Sequence, residues 1–541
     1  MNRSLLEWRE FIIPLLLFFL FLAFTLPGIS WGAPSGWHPD EIVGRSIKAL
    51  HGKWKFSEIN FDYPDLPQYA MFWLGKVVLS LGNTDREVLI ASRILSAVLA
   101  GLTIILTYAI ARRAGAGIYT AGLSGLFLVC VSEMTHNGRF AHNDTYTIFF
   151  TTLTVLLLVN YSKTDQRGWL YASFVAVGMA ASSKFIGGSI LIAPLTVYLM
   201  LQRKDLKQKL FSITETLFLS GVLTFLGFAA GTPKALLWMA FYFKRVFTAL
   251  QWQISYGKQP DSIRGIVGQY GVMSEGLGVP LALLFGAAFL WAGYRVIRAY
   301  RGGGLNRDST AGILAIILLG IFALDLPMMI SYNYQLRYFL TLMPLLAILA
   351  SFFVEDVWTI AKLGGNRLFL ALLATGVAWV VLYSFAHLIS VTLLFLNDAR
   401  IPASKFIATL PAGTSLEHTN YPPAIPKGHF AREHNYPVHF QKGANDTAPT
   451  DKPYRFNLGE AGLDERMTDY LVIDDFTSEK FKDSYICESI PVECEFFKQL
   501  ETGRSAHYRL IAEFTYTLPS YLPQIHVLFA NPEIRIYERI K

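Results

Sequence analysis

Apolar stretches of about 20 residues recur along this 541-residue chain, and each is long enough to cross the hydrocarbon core of a bilayer as a helix. Only 16% of the residues are charged, against roughly a quarter in soluble domains, so a water-soluble fold could not cover all of this apolar surface. The sequence therefore predicts a polytopic α-helical membrane protein with about eleven spans. They lie near residues 11–28, 88–110, 115–134, 145–160, 169–183, 186–202, 210–231, 277–294, 311–330, 338–354 and 368–396.

The positive charges predict the orientation, because Lys and Arg in short loops collect on the cytoplasmic side. With the N-terminus inside, five cytoplasmic loops hold fourteen basic residues, whereas the short outer loops hold three. The net charge of +7 is thus explained without a nucleic-acid partner. The first apolar run exceeds a signal-peptide core and is predicted to remain as a helix. An odd number of spans then places the tail outside the cytoplasm. The predicted location is the plasma membrane, which is the inner membrane if the protein is bacterial.

The chain changes character near residue 397, which predicts a membrane domain over 1–396 and an extracytoplasmic domain over 397–541. Strand-length apolar runs at 470–474 and 533–537, separated by turn residues, predict a small α/β domain. Cys487 and Cys494 lie in it, either as a local disulfide or as two thiols, since their spacing alone does not decide. Three cysteines in all exclude a disulfide scaffold, an iron–sulfur protein and a multi-cysteine zinc site.

An acidic pair, Asp40 and Glu41, follows the first span in an outer loop over 29–87, within the run Trp37-His38-Pro39-Asp40-Glu41. Adjacent carboxylates raise each other's pKa, and a site that needs a base or binds a cation would justify that cost. An alternative is that the pair merely begins an amphipathic surface helix over 42–50. The same loop continues to Tyr63-Pro64-Asp65-Leu66.

Further charges crowd the later outer loops. Arg139, His142 and Asp144 lie in a single loop of about ten residues. The alternative interpretations are that Arg139 anchors the loop at the membrane interface or that Asn143 belongs to a glycosylation sequon. Lys184 and the pair Arg337-Tyr338 end other outer turns, and each alone is typical of a side chain reaching the interface. Together these cations and carboxylates predict chemistry on a phosphorylated, membrane-embedded substrate.

Two other polar features are less easily assigned. The fourth outer loop, 232–275, has basic and aromatic residues at helical spacing, which indicates an interfacial helix. Such a helix could cover a lipid substrate, although a simple interfacial belt is favoured. Asp325 lies within the ninth span and has no assigned role.

The chain resembles the C-type superfold of integral-membrane glycosyltransferases, in the branch of protein O-mannosyltransferases and bacterial aminoarabinose transferases. The resemblance rests on the acidic pair after the first helix, Tyr63-Pro64-Asp65-Leu66, Arg139-Phe-Ala-His142-Asn-Asp144, Ser183-Lys184-Phe185 and Arg337-Tyr338, in that order. It spans nearly the whole chain.

The resemblance implies inverting transfer of a sugar from a polyprenyl-phosphate carrier to an acceptor hydroxyl on the outer face. Asp40 would be the catalytic base, with Glu41 and Asp144 beside it. The other implied residues are Arg139, Lys184 and Arg337 for the donor phosphate, and His38, Tyr63, His142 and Tyr338 as substrate contacts. A divalent metal ion, held by Asp40 and Asp144, is an open expectation.

Other functions remain as alternatives at this point. A transporter or lipid-linked-sugar flippase would show internal repeats and charges near the membrane midplane, whereas the charges here lie at the outer ends of the spans. A non-catalytic scaffold would tolerate substitutions in the outer loops. Nothing matches a sequon-reading motif, so transfer of a whole N-linked glycan is set aside. The acceptor could be a protein, a lipid or a cell-envelope glycan.

Overall fold

The computed structural model describes residues 3–53, 63–202, 210–255, 266–331, 335–435, 468–489 and 491–540. The chain divides into two compact units. The first comprises Met1–Ile29 and Asp40–Val391, and the second comprises Ser30–Pro39 and Thr392–Lys541. Compared with the predicted boundary at 396, the second unit begins five residues earlier and also includes a short segment of the first outer loop.

The first unit is helical. Its helices are α1 (Arg3–Thr25), α2 (Val43–Leu50), α3 (Leu66–Ser80), α4 (Asp85–Arg113), α5 (Ile118–Val129), α6 (Ser132–Gly138), α7 (Asp144–Thr164), α8 (Arg167–Ser183), α9 (Ile192–Leu201), α10 (Leu210–Gly231), α11 (Met239–Ser255), α12 (Ile266–Leu277), α13 (Val279–Arg301), α14 (Thr310–Met329), α15 (Met343–Leu363) and α16 (Arg367–Leu396), whose end enters the second unit.

The membrane-spanning character predicted from the sequence is confirmed. Among the described helices, seven are long and apolar enough to cross a membrane, or eight if the bent pair α5 and α6 is one span. All eleven predicted stretches fall on helices, yet the count by length is lower than eleven. The reason is that Glu10–Thr25 and Phe185–Leu201 are shorter apolar helices, and α8 has only 17 residues.

Local sequence signals position the helices that carry the outer loops. Thr84 and Glu87 form a capping box that begins α4, which satisfies backbone N–H groups that a helix start leaves open. Helices α8 and α10 cross closely, since a Cβ at Gly178 would lie 2.1 Å from the Thr224 carbonyl oxygen and one at Gly227 would lie 2.3 Å from the Val175 carbonyl oxygen. Small residues of this kind allow helix backbones to approach in membranes.

The second unit contains a five-stranded sheet of order β2-β1-β3-β5-β4. Its strands are β1 (Ser415–His418), β2 (Arg432–Asn435), β3 (Tyr470–Asp474), β4 (Tyr508–Phe514) and β5 (Ile534–Arg539). β1 pairs in parallel with β2 and β3, whereas β5 pairs antiparallel with β3 and β4. The two strands predicted from the sequence are β3 and β5, and the small α/β domain is confirmed.

Both faces of β3 are buried, as its five residues show. Leu471 and Ile473 join a core with the helix Pro491–Glu501, while Tyr470 and Val472 join a core with α17 (Arg400–Ile407) on the other face. Alternation along a strand sends neighbouring side chains to opposite faces, so one strand serves two cores. Cys487 and Cys494 form a disulfide, which decides the question that their spacing left open.

Candidate active site

Asp40 and Arg337 form an ion pair, although they are 297 residues apart in the chain. The Arg337 Nη1 donates to Asp40 Oδ2 at 2.6 Å, and 28% of the Asp40 side chain remains exposed. Arg337 lies in the short 3-10 turn Leu336–Leu342 that leads into α15. The acidic motif of the first outer loop and the basic motif of the fifth therefore meet, as the sequence predicts.

Asp144 carries a second ion pair at the first residue of α7. Lys184 Nζ donates to Asp144 Oδ1 at 2.6 Å, and His142 Nδ1 lies 2.9 Å from Oδ2. A carboxylate at a helix start also interacts favourably with the unpaired N–H groups there. Lys184 is placed by the end of α8, after which the backbone turns into the 3-10 segment Phe185–Leu191.

Tyr338 joins the two ion pairs. Lys184 Nζ lies 4.8 Å from the centre of its ring and the Arg337 guanidinium carbon lies 5.3 Å from it. Arg337 also interacts electrostatically with Asp144. The cations of both pairs thus contact one aromatic ring, whose quadrupole stabilises positive charge.

Tyr63 lies on the same cluster, with its ring 6.2 Å from that of His142. Burial, together with the negative charges of Asp40 and Asp144, raises the pKa of Tyr63 to about 12. The phenol therefore stays protonated at physiological pH and can donate a hydrogen bond. We call Asp40, Tyr63, His142, Asp144, Lys184, Arg337 and Tyr338 the outer cluster.

Glu41 has different partners from its neighbour. Both of its carboxylate oxygens accept from Arg93 of α4 at 2.8 Å, and the Ala141 backbone N–H donates to Oε1 at 3.0 Å. The Arg93 and Glu41 side chains are 1% and 4% exposed. Glu41 thus links the first outer loop to α4 and the second outer loop. The expected surface helix is present as α2, and its N-cap is Ile42.

Two other predicted site residues lie elsewhere. Arg139 is buried against the end of α1, where it donates to the backbone carbonyl oxygens of Phe24, Pro27 and Thr135. That geometry suits closing a helix end, because the last carbonyl groups of a helix lack partners. His38 belongs to the second unit, where its ring packs against Phe529. Their predicted roles with substrate stay predictions.

A further polar group adjoins the outer cluster and was not assigned from the sequence. Lys234 Nζ lies 3.7 Å from Asp65 Oδ2, and Thr232 accepts the Asp65 backbone N–H at 3.1 Å. The Thr232 hydroxyl is also hydrogen-bonded to the hydroxyl of Ser182 at 2.7 Å, and Ser182 lies two residues before Lys184 in the chain. Burial raises the pKa of Asp65, and burial lowers the pKa of Lys234. The Tyr63-Pro64-Asp65 motif marked this place without naming its partner.

Arg93 and Glu133 are the other residues that sequence reasoning missed. Glu133 lies on α6, hydrogen-bonded to Asn137 Nδ2 at 2.7 Å and paired with His136 at 3.2 Å. It also interacts electrostatically with Arg337 of the outer cluster. Single charges inside apolar stretches require partners. That signal was available for both residues.

The alternatives for the outer loops can be compared with the structure. Asn143 is fully buried, so its side chain is not presented for glycosylation. The fourth outer loop contains α11, in which Tyr242 is buried and reaches Asp65 at 3.5 Å, while Phe243 and Phe247 are 65% and 62% exposed. An apolar exposed face next to a tethered one fits an interfacial helix.

The expectation of a metal ion finds no fitting donor set. Among the described residues, no three His, Cys, Asp or Glu side chains lie together as metal ligands. Asp40 and Asp144, the two candidates, are each paired with a cation that a divalent ion would have to displace. We therefore derive no step through a metal ion.

The described site can be set beside known proteins. Residues 76–244 match the family model of dolichyl-phosphate-mannose-protein mannosyltransferases. No curated protein sequence matches the chain. The fold is similar to that of the oligosaccharyltransferase AglB from Archaeoglobus fulgidus, solved with an inhibitory peptide and a dolichol-phosphate, at a TM-score of 0.54 and 11% identity over 99% of this chain and 89% of that one.

Two other solved structures are similar over different lengths. ArnT from Cupriavidus metallidurans, bound to undecaprenyl phosphate, aligns at a TM-score of 0.49 and 14% identity over 99% of this chain and 98% of that one. The S. cerevisiae protein O-mannosyltransferase Pmt1-Pmt2, bound to its sugar donor, aligns at 0.32 and 23% over 44% and 34%. With the family match and the AglB fold, the prediction of a multi-pass membrane enzyme of the C-type glycosyltransferase fold is confirmed.

Proposed function

We propose that this C-type membrane glycosyltransferase moves a sugar from a polyprenyl-phosphate carrier to an acceptor hydroxyl on the extracytoplasmic face, with inversion at the anomeric carbon. The observation that carries the proposal is the meeting of two ion pairs, Asp40 with Arg337 and Asp144 with Lys184, on the ring of Tyr338. The matched family model is named for a dolichyl-phosphate sugar. The same class of carrier explains why the enzyme is embedded in a bilayer.

The cluster offers what a single displacement at the anomeric carbon needs. Asp40 takes the proton of the acceptor hydroxyl as its oxygen bonds to C1, and the bond from C1 to the phosphate oxygen breaks. The leaving group is the polyprenyl phosphate, which gains negative charge as the bond breaks. Preplaced cations such as Arg337 and Lys184 stabilise that charge without reorganising. One base suffices for inversion, because no covalent enzyme intermediate forms.

Donor binding and release of the base are coupled in this proposal. Arg337 holds Asp40 at 2.6 Å before substrate arrives. A donor phosphate competes for the same guanidinium, since Arg binds phosphate and carboxylate with the same donor geometry. Asp40 is then free to accept a proton only when the donor is in place. This arrangement keeps the base paired with Arg337 while no donor is bound.

The outer location is part of the proposal. The disulfide in the second unit favours an oxidising compartment, and the basic loops favour the cytoplasm for the opposite side. The acceptor hydroxyl belongs to a protein, a lipid or an envelope glycan. Transfer of a whole N-linked glycan is not proposed, because the chain carries no sequon-reading motif that we recognise.

The test is Asp40→Asn, measured as transfer of labelled mannose from polyprenyl-phosphate mannose in membranes containing the full chain. We expect a loss of about 10²–10⁴-fold, the usual contribution of a general base. Asp356→Asn is the matched control, because Asp356 also pairs with an arginine, Arg295, on helices away from the acidic motif. Mass spectrometry of lipids and glycans from cells lacking the protein would identify the natural sugar and acceptor.

Two results would contradict the proposal. Normal transfer by a well-folded Asp40→Asn variant would remove the base assignment. Movement of the lipid-linked sugar across vesicles, without transfer to any acceptor, would indicate a flippase instead.

A further inference from the structure

Arg400 is a fully buried charge in the second unit, outside the outer cluster. Its guanidinium carbon lies 4.9 Å from the centre of the Trp31 ring and 4.4 Å from that of Trp37. Its Nη2 donates to Asp398 Oδ2 at 2.8 Å and its Nε to Oδ1 at 3.0 Å. Both side chains of the ion pair are 0% exposed. We call Trp31, Trp37, Asp398 and Arg400 the arginine clamp.

The clamp holds a short segment, Ser30–Pro39, within the second unit. The Trp31 indole N–H donates to Asp398 Oδ2 at 2.8 Å, and the Asn531 backbone N–H donates to the same oxygen at 2.6 Å. The segment folds back on itself at Gly32, whose φ is +62°, and a Cβ there would lie 2.6 Å from the Trp37 ring. Only glycine fits this backbone conformation and this approach without strain.

The surface that receives the segment is unusually constrained. Phe529 and Asn531, neither of them glycine, adopt left-handed φ values of 66° and 55°. The Phe529 carbonyl accepts from Arg400 Nη2 at 2.8 Å, and its ring packs on His38 at 5.0 Å. Residues held in such conformations persist where the surrounding structure over-determines them, and they cluster at functional sites.

The residue that follows this segment is Asp40. On its other side, Glu41 is held by Arg93 and by the Ala141 N–H. Along the chain, Asp40 therefore lies between anchored residues, Trp37 and His38 before it and Glu41 after it. We propose that Arg400 is a positioning residue, which acts through Trp37 on the placement of the Asp40 carboxylate.

The proposal rests on the proposed function, in which Asp40 is the base. A buried ion pair is weak evidence for stability, because well-packed apolar side chains often serve the stability of a core equally well. The planar guanidinium of arginine can bind a carboxylate through two N–H groups and stack on aromatic rings at the same time. A clamp with that geometry suits holding a backbone in one place. Small displacements of a catalytic group can lower rates by about 10²-fold.

The experiment compares Arg400→Lys with Asp474→Asn in the full chain, by transfer kinetics with polyprenyl-phosphate mannose. Lysine keeps the charge but loses the fork and the stacking. Asp474 is an equally buried carboxylate of the same unit that accepts from the N–H groups of Tyr421 and Thr477. It is the control for loss of stability in that unit.

We expect Arg400→Lys to lower kcat by about tenfold or more without raising donor KM, because a displaced base slows the chemical step and competes less with the donor phosphate for Arg337. Asp474→Asn should leave kcat unchanged even where it lowers the melting temperature. Trp37→Phe should retain more activity than Trp37→Ala, since it keeps an aromatic face for the guanidinium. The comparison of the two Trp37 variants still tests the proposal if Arg400→Lys fails to fold.

A kcat for Arg400→Lys equal to that of the Asp474→Asn control would overturn the inference, as would equal activity in the two Trp37 variants. Either result together with an inactive Asp40→Asn would leave the proposed function standing. An active Asp40→Asn would instead overturn both.

Discussion

At the scale of single residues, Asp40 and Glu41 are adjacent in sequence but have separate tasks. Asp40 is partly exposed and paired with a cation of the outer cluster. Glu41 is buried and bound to Arg93 through both oxygens. Successive side chains outside regular structure can face different surroundings, and here the two carboxylates belong to different networks. We therefore assign a catalytic role to Asp40 and a structural role to Glu41.

Glu41→Gln is expected to lower the free energy of unfolding by about 3–5 kcal/mol, because it leaves the buried Arg93 without its counter-charge. Asp40→Asn should change stability far less, since the Asp40 side chain is 28% exposed. Denaturant unfolding of both variants in detergent is the measurement. Equal destabilisation by the two substitutions would show that the acidic pair does not divide in this way.

At this scale the sequence predicted that charges from separate loops would lie together, but not which of the charged residues would meet. Asp40, Asp144, Lys184 and Arg337 converge as expected. Arg139 was expected beside them as a third cation, because charge density in a loop carries no information on the direction of a side chain. In the fold its guanidinium points to backbone carbonyl groups at the end of α1. Partners such as Arg93 depend on long-range packing that no local pattern shows.

At the scale of elements, the turn after α10 brings two helices and an outer loop together. Thr232 binds the Asp65 N–H and Ser182, while Tyr242 of α11 reaches the Asp65 carboxylate. The charged or titratable groups that interact with Asp65 include Lys234, Tyr242, Arg45 and Tyr69. This turn therefore connects the interfacial helix to the loop that carries Tyr63.

The Asp65 group should make stability depend on pH. Burial raises its pKa above the ordinary value of 3.8, so the folded state binds this proton more tightly than the unfolded chain. The contribution of Asp65 to the free energy of unfolding is thus greatest at low pH and is lost as pH rises through the raised pKa. The Asp65→Asn side chain cannot ionise, so wild type should lose stability relative to this variant as the pH rises through the raised pKa of Asp65.

Unfolding of the two chains in detergent at a series of pH values above 3.8 is the measurement, and groups that do not interact with Asp65 cancel in the difference. A difference that stays constant with pH, or one that grows in favour of wild type, would contradict the raised pKa of Asp65.

Elements were predictable where the pattern is local. Long apolar runs located the helices, and strand-length apolar runs between turn residues located β3 and β5. The 3-10 turns that place Lys184 and Arg337 carry no periodic signal, so they appeared only in the structure. The parallel pairing of β1 with β2 and β3 likewise depends on packing between distant parts of the chain.

At the scale of the whole molecule, the chain alternates between two units rather than completing one before the other. The segment Ser30–Pro39 leaves the helical unit and belongs with the tail. Composition changes only near residue 397, so the sequence predicted a single boundary. A ten-residue excursion has no compositional signature of its own.

Orientation can be tested with single cysteines. Tyr521 is 84% exposed in the second unit, and Asn366 is exposed between α15 and α16. Labelling of intact cells with an impermeant maleimide should mark Tyr521→Cys but not Asn366→Cys. Background is low, because Cys487 and Cys494 are disulfide-bonded and Cys130 is buried. The reverse labelling pattern would invert the proposed topology.

The two ion pairs of the outer cluster also determine what the enzyme does not attract. Asp40 with Arg337 and Asp144 with Lys184 carry no net charge as a group, so these four side chains do not form a positive well that draws anions from solution. Water-soluble phosphates and nucleotides gain little by approaching them. Selection then falls to the lipid anchor, which concentrates the donor in the leaflet, and catalysis should tolerate changes in ionic strength that would disable an electrostatically steered enzyme.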